Sequence, residues 1–132
     1  MQFQAASHST LTGEAWRPML DPASGNQVHN RMVSSFGRVM SKTGLISKGS
    51  LRNDGYYSTG ITCRPLKTRM VPVHRLVAFA FLGPPPCVSL TSVNHKDLDK
   101  GNNSADNLEW ISPGDNLRHF HENSSFQRRN GL

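Results

Sequence analysis

Gly83-Pro84-Pro85-Pro86 divides this chain. Proline has no backbone N–H and holds φ at about −65°, so three in succession continue neither a helix nor a sheet interior. One regular element must therefore end before residue 84, and the next must begin afresh beyond residue 86. Before the break, "VPVHRLVAFAFLG" carries apolar residues at 73, 76, 77, 80 and 81, which is helical spacing. Pro72 suits a helix start and Gly83 a helix end. A helix is expected over 71–83.

The segment upstream has a different period. Apolar residues cluster around Trp16, and Asp21-Pro22-Ala23-Ser24-Gly25-Asn26 is a run of turn formers. "RMVSSFGRVMS", residues 31–41, alternates apolar and polar positions and reads as a strand bent or bulged at Gly37. Asn53-Asp54-Gly55 separates two further strand candidates and is a strong hairpin signal. Residues 14–70 are thus expected to form a small antiparallel β module. Residues 1–13 are small and polar, and a flexible N-terminus is expected there.

Beyond the prolines, "CVSLTSVNH" reads as a strand, residues 96–106 as a polar loop, and "NLEWIS" as a second strand. A helix is expected to carry Asn116 through His121, with Ser112 as its cap and Pro113 in its first position. A flexible basic tail is expected over 123–132. The fold class is therefore α+β: an antiparallel sheet plus helix, then a strand–loop–strand–helix unit. There is no internal repeat.

Composition limits the partners. Lys+Arg number 15 against 9 Asp+Glu, a net charge of +6. A small domain this basic commonly meets a polyanion, of which nucleic acid is the commonest. No apolar run approaches the roughly 20 residues of a membrane span, so no membrane partner is expected. The N-terminus lacks the basic and apolar regions of a secretory signal, so the expected location is intracellular: cytoplasm, or a nucleus or organelle. Cys63 and Cys87 are too few and too far apart for a disulfide framework or a structural zinc site.

The stretch "VNHKDLDKGNNSADNLEWIS" with "DNLRH" after it resembles the HNH endonucleases, the ββα-metal or His-Me finger fold, in their phage and intron homing branch. His95, Asn107 and Asn116 take the three signature positions, at spacings of 12 and 9. "VHRLVAFAFLG" resembles the helix that precedes the motif in that branch. "EAWRPM" and "VSSFGRVMS" resemble NUMOD4, a small module often found ahead of it. The resemblance covers most of 14–121, with the nuclease motif at 71–122.

It implies metal-dependent hydrolysis of DNA phosphodiester bonds, with Mg²⁺ or another divalent ion such as Mn²⁺ and no structural zinc. His95 would be the general base, since a neutral imidazole can deprotonate water near pH 7. Asn116 would offer its amide oxygen to a hard cation, and Asn94 is a second candidate ligand. The family often has Asp at this position; Asn94 removes a formal charge. Asn107 would tie the loop across the hairpin and orient His95. Asn102, Asn103 and Asp106 are expected to shape the loop, because Asn and Asp favour turns and tolerate left-handed backbone. His74 is expected to pack, and Trp110 to lie in the core.

His119, one turn past Asn116, and Arg118 are candidate phosphate or DNA contacts. So are Arg38, Lys42, Arg52 and Arg69, which with Arg31, Lys48, Arg64 and Lys67 would form a phosphate-tracking face on the sheet module. The rival readings are a DNA-binding protein that keeps the fold with weak or no cleavage, and a structural or interaction module. No protein partner is implied. Only about eleven residues follow His121. No further DNA-reading module is expected there, which leaves low specificity or a homodimer as expectations.

Overall fold

The computed structural model describes residues 10–63 and 67–129. Most of the expected flexible N-terminus, the end of the expected tail and Arg64 lie outside these residues.

Four strands form the first sheet in the order β1-β2-β3-β4: β1 (Trp16–Leu20), β2 (Gln27–Ser34), β3 (Val39–Met40) and β4 (Ile46–Ser47). The Asp21–Asn26 cluster is the β1–β2 turn, where Asp21 Oδ1 accepts from the Ala23 N–H. Residues 31–41 are not one bent strand. They fold back on themselves, and β2 pairs antiparallel with β3. The Ser34 hydroxyl accepts the N–H groups of Phe36 and Arg38, and Gly37 sits at φ +83°. Glycine adopts that backbone without a steric penalty, so this glycine closes a reverse turn.

A second sheet contains β5 (Ser50–Leu51), β6 (Tyr57–Cys63) and β7 (Lys67–Pro72). The Asn53-Asp54-Gly55 hairpin joins β5 to β6, with Gly55 at φ +90°. Arg31 braces the two sheets. Its guanidinium donates to the Met40 and Gly60 carbonyls at 2.7 and 2.8 Å and to the Thr59 hydroxyl at 3.2 Å. A residue expected on a phosphate-tracking face is a structural strut.

The helix before the prolines is α1 (Val73–Val77), continued by a π-helical turn, Ala78–Leu82, and stopped at Gly83. Val73, Leu76, Val77 and Ala78 are fully buried. They pack in one cluster with Met19, Val28, Val33, Val39, Ile61 and Val71 from the strands and Val93 and Leu108 from beyond the prolines. The sheet module and the segment after residue 70 thus share one hydrophobic core. Deleting a fully buried leucine side chain such as Leu76 typically costs about 2–5 kcal/mol.

After the prolines, only Ser92–His95 of the expected strand is extended (β8). It pairs antiparallel with β9 (Leu108–Ile111), placing Asn94 opposite Glu109 and His95 opposite Leu108. The Trp110 indole donates to the Gly83 carbonyl at 3.2 Å and meets Phe79 edge-on, tying this hairpin to the end of the helix. Ser112 caps α2 (Pro113–Arg129) by accepting the Asp115 N–H at 3.1 Å. The helix continues well past His121, because no glycine or proline interrupts it between Asp115 and Arg129. Among the described residues, no helix is long and apolar enough to cross a membrane.

Candidate active site

β8 ends at His95, and the loop that follows must return to β9 without an apolar core of its own. Its side chains hold it. Asn107 does most of this. Its Oδ1 accepts the Asp97 N–H at 3.1 Å, and its Nδ2 donates to Asp97 Oδ1 and to the Asn102 carbonyl, each at 2.9 Å. Asp97 also accepts from Asn102 Nδ2 and from the Asp99 N–H. These bonds, with Asn102 first, hold the Asp97 carboxyl below its ordinary range despite the opposing effect of burial. None of the loop asparagines is left-handed. That conformation falls on Leu98, at φ +64°, a costly backbone for a leucine and of a kind that clusters at functional sites.

His95 is buried, and its Nε2 lies 2.7 Å from Asn103 Oδ1. An amide oxygen only accepts, so Nε2 carries the proton and Nδ1 keeps the lone pair. Asn103, expected only to shape the loop, is thus the hydrogen-bond partner of the ring. It is 4% exposed and pressed from behind by the β2–β3 turn. A Cβ on Gly37 would stand 2.6 Å from Asn103 Cβ, and the Ala105 N–H donates to the Ser35 carbonyl at 2.8 Å. The His95 ring is 4.9 Å from that of His74, which stacks on Tyr56 at 5.1 Å. Burial, then the neighbouring His95 and Arg75, push His74 down to about 3. Burial lowers His95 too. The Asn103 bond, Asp97 and Asp99 oppose that shift, and Lys100 adds to it.

An open cavity of about 440 Å³ lies against this face, bounded by Asn94, His95, Asn116, Lys100, Tyr56 and Leu98 among others. Neighbours along a strand point to opposite faces; Asn94 and His95 both reach the cavity because the strand stops there. Asn116 comes to it from the first turn of α2. Lys100, which sequence reasoning did not single out, is the one fixed cation among these lining residues. Its ammonium donates to the Asp54 carbonyl at 2.9 Å and stands 4.7 Å from the centre of the Tyr56 ring. The signal that could have found it is its place five residues after His95 in a loop that must fold back over that ring.

The other candidate contacts are not among the residues that line the cavity. Arg38 is bound to Glu14, with Nε to Oε2 at 2.9 Å. Burial opposes ionisation of Glu14, but Arg38 and the Leu11 N–H outweigh it and hold the carboxyl at about 2. Arg69 pairs with Asp21, Arg52 with Asp54, and Arg118 with Asp115. His119 is half-buried on α2, and Lys42 is exposed in the β3–β4 turn.

A buried histidine, a polar loop and a helix-borne amide around one cavity, on a β-hairpin followed by a helix, make a ββα nuclease-type unit. The HNH endonuclease family model matches residues 71–118, and the chain carries an HNH endonuclease domain there. Residues 14–70, with their NUMOD4-like motifs, lie outside that match. Two uncharacterized HNH endonucleases of Acanthamoeba polyphaga mimivirus are similar. One is 33% identical over 112 residues, 84% of this chain and 27% of the relative; the other is 38% identical over 91 residues, 68% and 26%. The chain therefore spans about a quarter of these relatives. DNA endonuclease I-HmuI of Bacillus phage SP01 is 37% identical over 84 residues, 61% of this chain and 45% of the relative. A solved structure of the HNH homing endonuclease I-HmuI, described as DNA binding and cleavage, matches with a TM-score of 0.63 at 31% identity, covering 83% of this chain and 59% of that one.

Proposed function

We propose that this chain is a metal-dependent DNA endonuclease with His95 as general base. The observation that carries the reading is the cavity that gathers His95, Asn94, Asn116 and Lys100. His95 Nδ1 takes the proton from the attacking water, while Nε2–H stays on Asn103 and holds the ring in that tautomer. Asn107 keeps the loop closed so that Asn103 stays in place. Lys100 meets the charge of the phosphate that is cut.

Among the described residues, no group of three or more His, Cys, Asp or Glu could hold a metal ion. Asn94 and Asn116 offer neutral oxygens instead, a donor set suited to Mg²⁺ or Mn²⁺ and completed by phosphate oxygens of the DNA. When bound, such an ion neutralises charge on the phosphate and the leaving oxygen. The weakness of a donor set without direct carboxylates also supports a second reading, a protein that binds DNA and cleaves poorly.

The test is nicking of supercoiled plasmid with Mg²⁺ and with EDTA. Nicking that needs the metal supports the enzyme; DNA binding without nicking at any Mg²⁺ or Mn²⁺ concentration supports the binding protein. Asn116→Ala is expected to raise the Mg²⁺ concentration for half-maximal rate, and an unchanged titration would remove Asn116 from the ligands.

A further inference from the structure

Asn94 stands where the resembled family often has an aspartate, yet the local charge is not lost. Glu109 lies directly across the β8–β9 ladder from Asn94, on the same face. Asn94 Nδ2 donates to Glu109 Oε2 at 2.7 Å. The amide's orientation follows from chemistry, because an ionised carboxylate only accepts and must face the NH₂ group. Asn94 is 4% exposed and lines the cavity. With its nitrogen committed to Glu109, its oxygen is the atom left for a cation.

On the reading of this cavity as a metal-dependent nuclease centre, we propose that Glu109 is a positioning residue for the divalent cation, acting through Asn94. It does two things. It fixes the Asn94 amide so that Oδ1 serves as a ligand, and it places a negative charge one residue behind that ligand. Polarised by the carboxylate, the amide oxygen becomes a better donor to a hard cation. The carboxylate that commonly sits at the ligand position is here displaced to the outer position.

Mn²⁺ binding tests this, followed by electron paramagnetic resonance of the free ion, with and without a DNA duplex, and alongside the Mn²⁺ dependence of plasmid nicking. Glu109→Gln keeps the size of the side chain and removes the charge. It is expected to weaken Mn²⁺ binding by about tenfold or more, as loss of outer-sphere partners commonly does, and to raise the half-saturating Mn²⁺ for nicking in parallel. Asn94→Asp/Glu109→Gln moves the charge back to the ligand position and is expected to restore binding to at least the wild-type level. Denaturant unfolding of the same proteins separates this role from support of the hairpin: Glu109→Gln is expected to weaken Mn²⁺ binding while its unfolding free energy stays close to that of the wild type, and weakening that only accompanies a loss of stability would overturn the assignment. Equal Mn²⁺ affinity in wild type and Glu109→Gln, failure of the double variant to recover, or no Mn²⁺ bound by the wild type at millimolar concentration would each overturn the assignment. Mn²⁺ binding that weakens in Glu109→Gln, in a wild type that never nicks DNA, would instead sink the nuclease reading and leave Glu109 in this role.

Discussion

His95 and Asn103 form a 2.7 Å hydrogen bond with both side chains nearly sealed from water. The bond selects the tautomer of the imidazole, and it strengthens when the ring is protonated, so it raises the pKa of His95 against the effect of burial. Burial is the larger effect, and the ring titrates below its ordinary value of 6.5. A general base must be neutral to act. The acid limb of the pH–rate profile is therefore expected below pH 6.5, and a bound cation would push it the same way. Asn103→Ala removes the opposing bond. It should move that limb further toward acid and lower the plateau rate roughly 10- to 100-fold, the worth of one hydrogen bond to a charged group. Single-turnover rates from pH 5 to 9 for both proteins check this. An unmoved limb with an unchanged plateau would detach Asn103 from the base.

Gly37 lies far from the cavity in sequence and close to it in consequence. Alanine there would be strained at φ +83°, and its methyl would meet Asn103 Cβ and backbone at 2.6 to 2.7 Å. Gly37→Ala is expected to cost about 1–3 kcal/mol of stability, the usual range for overpacking. It should also slow nicking well below the melting temperature, because the side chain displaced is the partner of His95. Denaturant unfolding and nicking rates at a temperature where both proteins are folded separate the two effects. A destabilised Gly37→Ala with wild-type rate would show that the turn supports the fold alone.

Lys100 should matter to the chemical step more than to binding. Lys100→Met is expected to lower the single-turnover rate at saturating protein by about 10²-fold, a typical loss for one charge-stabilising donor. The affinity for a DNA duplex in EDTA should change little, since binding draws on many phosphate contacts. Lys100→Arg should recover part of the rate. Loss confined to affinity would make Lys100 an ordinary backbone contact.

His74 carries a different pH dependence, in stability. Its ring is held neutral to about pH 3, whereas in the unfolded chain it would protonate near its ordinary value of 6.5. A base whose folded pKa is depressed stabilises fully above the unfolded value and loses that contribution as pH falls. Between pH 7.5 and 5 the loss is about 2 kcal/mol for this group. His74→Phe keeps an aromatic ring against Tyr56 and removes the proton site, so its unfolding free energy should fall less over the same window. Parallel curves for the two proteins would contradict the buried, neutral His74.

How much of this is legible in the sequence depends on what each residue needs from afar. The helix before the prolines, its stop at Gly83, the Asn53-Asp54-Gly55 hairpin and the Ser112 cap rest on local chemistry, and all four stand in the structure. The 31–41 segment misleads because alternation continues through Gly37, and a bend and a reverse turn share that signature until strand pairing decides. The cavity side chains His95, Asn94 and Asn116 could be named from the resemblance to the HNH motif. Asn103 and Glu109 could not, because their significance arises only from the side chain each one meets. The partners of the arginines are hidden for the same reason: Arg31, Arg38 and Arg69 are held by carbonyls or carboxylates distant in sequence.

The central claim is that His95 activates the water that cuts DNA, and His95→Ala tests it most directly. The measurement is Mg²⁺-dependent nicking of supercoiled plasmid by wild type and variant, with duplex affinity measured in EDTA on the same preparations. Loss of a general base typically costs about 10²–10⁴-fold. The expected result is a rate lower by that factor with DNA affinity within about threefold, since His95 lies in the site and is not a principal phosphate anchor. Nicking by His95→Ala at near the wild-type rate would contradict the account.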